Sequence, residues 1–285
     1  MKTDNCIKRD PVPSGAIEPT TNAMIEFDGY YWWTNYPFGI SYSGYWFNGQ
    51  QWDPRLATVD SEGLHLKMQR SAIPIMPKPS APPYESPGHW SSIEILLWGK
   101  IAGNPNVAGT APKRDYPGYG TYLVAASCPL GFNELSNNCC FGAFSYQFQA
   151  DSSQTNAHRE LDMMECSRWN NQSDPTNAQF TLQPWASQSD NVHRITLQAG
   201  TEMTIVMDWP GEGVPVTYSV YYGIHDLATL PSSPDITWTT GSDQNQFIPD
   251  EGCQTIHLNL WRQPQNYTPS ADQEVIIKKF QYKPI

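Results

Sequence analysis

The chain has 285 residues, enough for one large domain or two small ones with a sizeable core. Only 16% of them are charged and 39% are hydrophobic, with 20 Gly and 25 Pro, a composition that argues against coiled coils and long surface helices. Against 28 acidic residues stand 17 basic ones, and the net charge of −11 repels phosphate backbones and anionic lipid, so neither nucleic acid nor a membrane is an expected partner.

Residues 1–24, with Pro11, Pro13 and Pro19, read as an extended lead-in. They lack the apolar core of a signal peptide, and no stretch of the chain approaches the roughly 20 apolar residues of a membrane span. A secreted, extracellular protein whose leader has been removed is the favoured expectation over a cytosolic one. From residue 25 onward the recurring unit is a short apolar or alternating run bounded by Gly, Pro, Asn or Asp, which signals strands. Such runs fall at 64–68, 93–98, 119–126, 141–148, 179–185, 194–198, 203–207, 217–222, 255–261 and 274–282, and no convincing helix separates them. Strands spaced too closely for intervening helices imply an all-β antiparallel sandwich or barrel, with residues 25–285 as a single domain. The Pro-rich stretch 73–87 interrupts this pattern without changing it and reads as a long surface loop.

Six cysteines, Cys6, Cys128, Cys139, Cys140, Cys166 and Cys253, form no C-x-x-C pair and no zinc-ligand spacing with His, so no metal cluster is expected. One bridge from Cys128 to the Cys139-Cys140 pair would staple the turn-rich segment between them; buried reduced thiols are the equal alternative.

Strand parity carries a functional hint. In 179–183 the polar residues Gln179, Thr181 and Gln183 occupy one parity and the apolar residues the other, and in 255–261 His257, Asn259 and Trp261 share a face. A sheet face of amides and aromatic rings suits sugars, whose hydroxyls need donors and acceptors and whose C–H faces stack on rings.

The chemistry lies ahead of both runs, in His158-Arg159-Glu160-Leu161-Asp162-Met163-Met164-Glu165-Cys166-Ser167-Arg168-Trp169. Three carboxylates stand in six residues of what otherwise reads as a buried strand. In a regular strand Glu165 would point into the core with Leu161 and Met163, at the large cost of burying an unpaired charge. A one-residue bulge near Met163-Met164 turns it onto the face of Glu160 and Asp162. Acids this crowded cannot all ionise near neutrality, so one keeps its proton as an acid while another stays an anion, the division of labour that glycoside hydrolysis needs. A solvated edge, or ion pairs with Arg159 and Arg168, would also accommodate them. The apolar neighbours Leu161, Met163, Met164 and Cys166 argue instead for a central strand.

The pattern E-x-D-x-x-E over residues 160–165 resembles the bulged active-site strand of glycoside hydrolase family 16, the laminarinase, agarase and carrageenase group. Tyr119-Gly120-Thr121-Tyr122, Phe144-Ser145-Tyr146 and Leu258-Asn259-Leu260-Trp261 resemble further segments of that family in the same order. The resemblance implies a β-jelly roll of concanavalin A type with a concave polysaccharide cleft, and a retaining endo-β-glycanase acting on a β-1,3- or mixed-linkage glucan. It implies Glu160 as nucleophile, Asp162 as its electrostatic helper and Glu165 as general acid/base. Phe144, Tyr146, Asn259 and Trp261 match cleft positions, and Gln179, Gln183 and Trp169 join them as expected substrate contacts. Departures are the missing Trp shortly before the catalytic strand and Arg262-Gln263-Pro264 where laminarinases have a Gly pair. A galactan-cleaving enzyme, a transglycosylase and a non-catalytic carbohydrate-binding protein on the same scaffold are the alternatives. No cofactor is expected to be required. A structural Ca²⁺ occurs in the family, but no ligand set for it is visible here. A monomer is expected.

Overall fold

The computed structural model describes residues 24–34, 45–47, 50–70, 90–104, 112–147, 155–262 and 271–285. The strands in chain order are β1 (Met24–Phe27), β2 (Tyr30–Trp33), β3 (Tyr45–Phe47), β4 (Gln50–Trp52), β5 (Ala57–Val59) and β6 (Leu64–Arg70). They continue as β7 (Trp90–Lys100), β8 (Gly120–Ser127), β9 (Cys139–Tyr146), β10 (Leu161–Cys166), β11 (Ala178–Leu182) and β12 (Val192–Ile195). The last five are β13 (Glu202–Trp209), β14 (Thr217–Tyr222), β15 (Ile236–Thr239), β16 (Thr255–Arg262) and β17 (Gln273–Pro284). Helical structure among the described residues is confined to short 3-10 turns, and no helix there is long and apolar enough to cross a membrane.

Fifteen of these strands form two antiparallel sheets. The first runs β1-β2-β7-β16-β9-β10-β11-β12, and the second runs β5-β6-β17-β8-β13-β14-β15. The long β7 touches both, because its first residues pair with the end of β6, Ser91 opposite Gln69 and Trp90 opposite Arg70. The architecture is therefore the β-sandwich expected from the strand spacing, and each predicted run lies in or overlaps a strand.

Alternation decides which face of each strand is buried. From the first sheet Ile93, Ile95, Leu97, Phe141, Ala143, Phe180, Leu182, Ile256, Leu258 and Leu260 enter the core. Leu64, Leu66, Met68, Tyr122, Val124, Ala126, Met203, Ile205 and Met207 meet them from the second. Burying each such side chain stabilises by roughly 1.5–3 kcal/mol, which makes the face assignment of every strand hard to reverse. The opposite parity in the first sheet, including Glu94, His257, Asn259, Phe144, Gln179 and Thr181, is left for the outer face.

Boundaries shift where local chemistry overrules the pattern. The run read as 179–185 ends as a strand at Leu182, two residues before Pro184, which has no N–H to give a ladder. The run read as 194–198 is displaced to Val192–Ile195, where Ala178 to Thr181 supply partners. The β1-β2 hairpin turns on Asp28-Gly29 with positive φ at both residues (49° and 80°), a two-residue turn that the D-G dipeptide encodes. The lead-in before Met24, the Pro-rich stretch 73–87 and Cys6 lie outside the described residues. The suggested bridge between Cys128 and the Cys139-Cys140 pair is absent: all three are buried free thiols, as is Cys166, while Cys253 is disulfide-bonded.

Candidate active site

β10 lies between β9 and β11 and carries the expected bulge. Opposite β9, Asp162 pairs with Phe144 and Met164 with Ala143, so Met163 is an extra residue set against no partner. Opposite β11, Asp162 pairs with Thr181 and Glu165 with Gln179, three steps against two. Both Met163 and Met164 are fully buried in the core, and Glu165 emerges on the outer face with Asp162. The bulge thus spares the core a carboxylate that it could not pair.

Glu160, immediately before β10, is held by its backbone. Its N–H donates to Asn156 Oδ1 at 3.1 Å, and Asn156 Nδ2 donates to its carbonyl at 2.9 Å and to that of Phe247 at 3.1 Å. Ser145 Oγ donates to the Arg159 carbonyl and accepts from Leu161 N–H, both at 3.1 Å. Arg159 is neither a surface residue nor a partner of the motif's acids. It is 2% exposed, sits at φ 49°, and forms an ion pair with Asp250 on the segment before β16.

Burial raises all three carboxyl groups above their usual range, and the charge of Glu165 adds to the rise at Glu160 and at Asp162. Glu160 is pushed up to about 8, by desolvation first and then by the charges of Glu165 and Glu94, with a hydrogen bond from Asp162 opposing. Asp162 is raised well above its usual range, by desolvation and by the charges of Glu165 and Glu160; it accepts from Gln183 Nε2 at 3.0 Å. The hydrogen bond between the two raises Asp162 and lowers Glu160, so it favours the proton on Asp162, which donates to Glu160. Desolvation also raises Glu165, while bonds from Gln179 and Thr181 and the charge of Arg194 oppose it. Glu165 Oε2 accepts from Gln179 Nε2 at 2.8 Å and from Thr181 Oγ1 at 2.9 Å.

The three polar residues of 179–183 therefore share the outer face as expected, but their polar atoms are spent on the acids. Gln179 is fully engaged: its Oε1 accepts from Trp169 Nε1 at 2.9 Å and from Arg194 Nη1 at 3.0 Å. Gln183 Oε1 accepts from Trp185 N at 3.0 Å. Together these groups line a cleft of about 490 Å³ walled by Glu165, Trp169, Gln179, Thr181, Gln183, Trp185, Val192 and Trp261. Trp169 and Trp261 stand 6.1 Å apart, and Trp185 is 63% exposed.

Towards β7, the same face carries a buried pair, His257 Nδ1 to Glu94 Oε1 at 2.8 Å, beside Phe144 at 5.2 Å and Tyr146 at 5.5 Å from the imidazole. Phe144 and Tyr146 are half-buried, and His158 stacks on Tyr146 at 5.5 Å. Asn259 sits against Gly142, where an added Cβ would meet its Oδ1 at 2.5 Å. The bare Gly142 keeps the floor low between Asn259 and Glu165, which pair with it from either side.

All ten residues expected from the sequence thus lie on or beside this face. Sequence reasoning missed Arg194, Glu94 and Asn156. Arg194 looked like an ordinary surface cation, and Glu94 is one acid in an apolar run; parity on β7 was the signal that could have placed Glu94. Among the described residues no group of three His, Cys, Asp or Glu is arranged to hold a metal ion.

No family model and no curated protein matches the sequence. Solved structures do. A prokaryotic β-1,3-1,4-glucanase (lichenase) from a mouse hindgut metagenome superposes with a TM-score of 0.51 at 16% identity, covering 91% of this chain and 98% of the other. The κ-carrageenase of Pseudoalteromonas carrageenovora, solved with a carrageenan oligotetrasaccharide, gives 0.51 at 11% identity over 90% of this chain and 97% of the other. An endo-1,3-β-glucanase of Streptomyces sioyaensis gives 0.50 at 13% identity over 94% and 98%. The sequence is far from each of these, but the chain has the jelly-roll fold of glycoside hydrolase family 16.

Proposed function

We propose that the protein is a retaining endo-glycoside hydrolase that cleaves an uncharged polysaccharide, a β-1,3- or mixed-linkage glucan. One observation carries the reading: a bulge spends one strand residue to bring Glu165 out beside Asp162 and Glu160, at the floor of a tryptophan-walled cleft. In the first step Glu160, once it has released its proton, attacks the anomeric carbon while Glu165 gives its proton to the departing glycosidic oxygen. Asp162, protonated and bonded to Glu160, steadies that carboxylate before attack and after release. In the second step Glu165, now an anion, takes a proton from water, whose oxygen displaces Glu160 and regenerates the site.

The lining favours a neutral chain. Among the described residues the only ionisable side chain of that lining is Glu165, and Arg194 behind it is paired with Asp174 at 3.1 Å. A sulfated galactan would bring anions against Glu165 with no cation among the described lining residues to receive them. A polysaccharide substrate and the disulfide of Cys253 both favour an extracellular setting.

The test is a panel of laminarin, mixed-linkage glucan, xyloglucan, agarose and carrageenan, with product sizing. Reducing ends are expected from the glucans, and Glu160→Gln and Glu165→Gln should each abolish them while leaving glucan binding nearly intact. Products longer than the substrate would make the enzyme a transglycosylase. Binding without release by the unmodified protein would make it a carbohydrate-binding protein and end the hydrolase reading.

A further inference from the structure

Gln179 has an amide whose two ends look alike in shape but not in chemistry. If it were flipped, its NH2 would face Trp169 Nε1 and Arg194 Nη1, two donors at 2.9 and 3.0 Å, and its oxygen would face the Glu165 carboxylate. Neither contact is tolerable, so the two donors fix which end meets the acid. Arg194 is itself fixed: Nε donates to Thr176 Oγ1 at 2.8 Å, Nη1 to the Ser167 carbonyl at 3.1 Å, and Nη2 pairs with Asp174. Trp169 holds its place at φ 50°, next to Asn170 at φ 61°. Two successive residues in the left-handed region are a costly arrangement that surrounding structure must enforce.

We propose that Trp169 and Arg194 are positioning residues for Glu165, acting through the Gln179 amide, so that one wall of the sugar cleft also aims the acid. The inference rests on the hydrolase reading and deepens it. Trp169 thereby has two separable properties: a ring face for the sugar and an N–H for Gln179. With Gln179 Nε2 and Thr181 Oγ1 both on Oε2, the other oxygen of Glu165 is left to the cleft. The groups that face Glu165 are few. Glu160 and Asp162 lie on its own strand, the thiols of Cys140 and Cys166 lie beside it, and Arg194 lies on β12. Glu94 on β7 acts on Glu160.

Trp169→Phe keeps an aromatic face and removes the N–H. Freed from one of its two restraints, Gln179 donates less well to ionised Glu165, whose proton is then held to higher pH. The expected result is a basic limb of kcat/KM moved upward by about one pH unit, the size of one lost hydrogen bond to a charged group. kcat should fall about tenfold, with KM changed by less than about threefold. Trp261→Phe trims the neighbouring ring, which has no bond to Gln179, and should change KM without moving the limb. Gln179→Leu should move the limb as Trp169→Phe does, and the double variant no further, because both changes break one connection. Arg194→Lys should retain part of the effect of arginine.

A limb that stays in place in Trp169→Phe, or shifts that add in the double variant, would overturn the proposal and leave Trp169 a sugar platform alone. Carboxyl titrations by carbon-13 NMR of glutamate-labelled protein, with Glu165 assigned through Glu165→Gln, read the same shift without substrate. If the unmodified protein cleaves no glycan, the hydrolase reading fails while these titrations still decide whether the connection exists.

Discussion

Replacing Glu160 by Gln should stabilise the fold at neutral pH while abolishing turnover. The unfolded chain releases the Glu160 proton at its ordinary 4.5, whereas the folded protein holds it to about 8. Between these values the native state binds more protons than the unfolded state, so this group's contribution falls as pH rises. At pH 7 the difference spans about two and a half pH units at about 1.4 kcal/mol each, a ceiling of roughly 3–4 kcal/mol. For a chain of this size about 3 kcal/mol corresponds to a Tm higher by roughly 6–10 °C. Thermal unfolding of both proteins at pH 4.5, 5.5, 7 and 8 tests this. The Tm difference should be smallest at pH 4.5 and widen steadily to pH 8. A gap independent of pH, or one that widens towards acid, would refute the claim that the folded site holds Glu160 against ionisation. Such a cost is expected where chemistry, and not stability, selects the residues.

Arg159→Met should destabilise the protein by about 3 kcal/mol in chemical denaturation, at the low end for a broken buried pair because Asp250 is 36% exposed and regains water. Asp250→Asn, which leaves the arginine a carbonyl acceptor, should cost less, and equal losses would show that the pair is not what holds Arg159. Gly142→Ala should drive Asn259 from its seat and lower kcat/KM about tenfold with a smaller effect on Tm, since the contact at 2.5 Å is with a side-chain oxygen. Unchanged kinetics would remove Asn259 from the binding surface.

The bulge was legible because it repairs a local conflict: a period of two sends Glu165 to the core, and burying an unpaired carboxylate is too costly. Strand β14 was legible to the residue, its polar and apolar residues alternating over Thr217–Val220 before the two tyrosines that end it. Arg194 was not, since an arginine on a short strand looks the same whether it meets water or the amide of Gln179. The roles of Gln179 and Gln183 were half legible: parity gave their face, and only the fold showed that their amides serve the acids before any sugar. The pairing of Arg159 was not legible because its partner, Asp250, is 91 residues away.

What the chain determined by itself is the strand menu, the face each side chain takes and the gathering of three acids in and just before β10, because all of these depend on neighbours within a few residues. What tertiary structure decided is the company those acids keep. Glu94 meets His257 across 163 residues, and Arg194 reaches Gln179 from the next strand. Such pairings depend on strand order and register, which are chosen by burial of the whole apolar surface at once and leave no mark in any single segment.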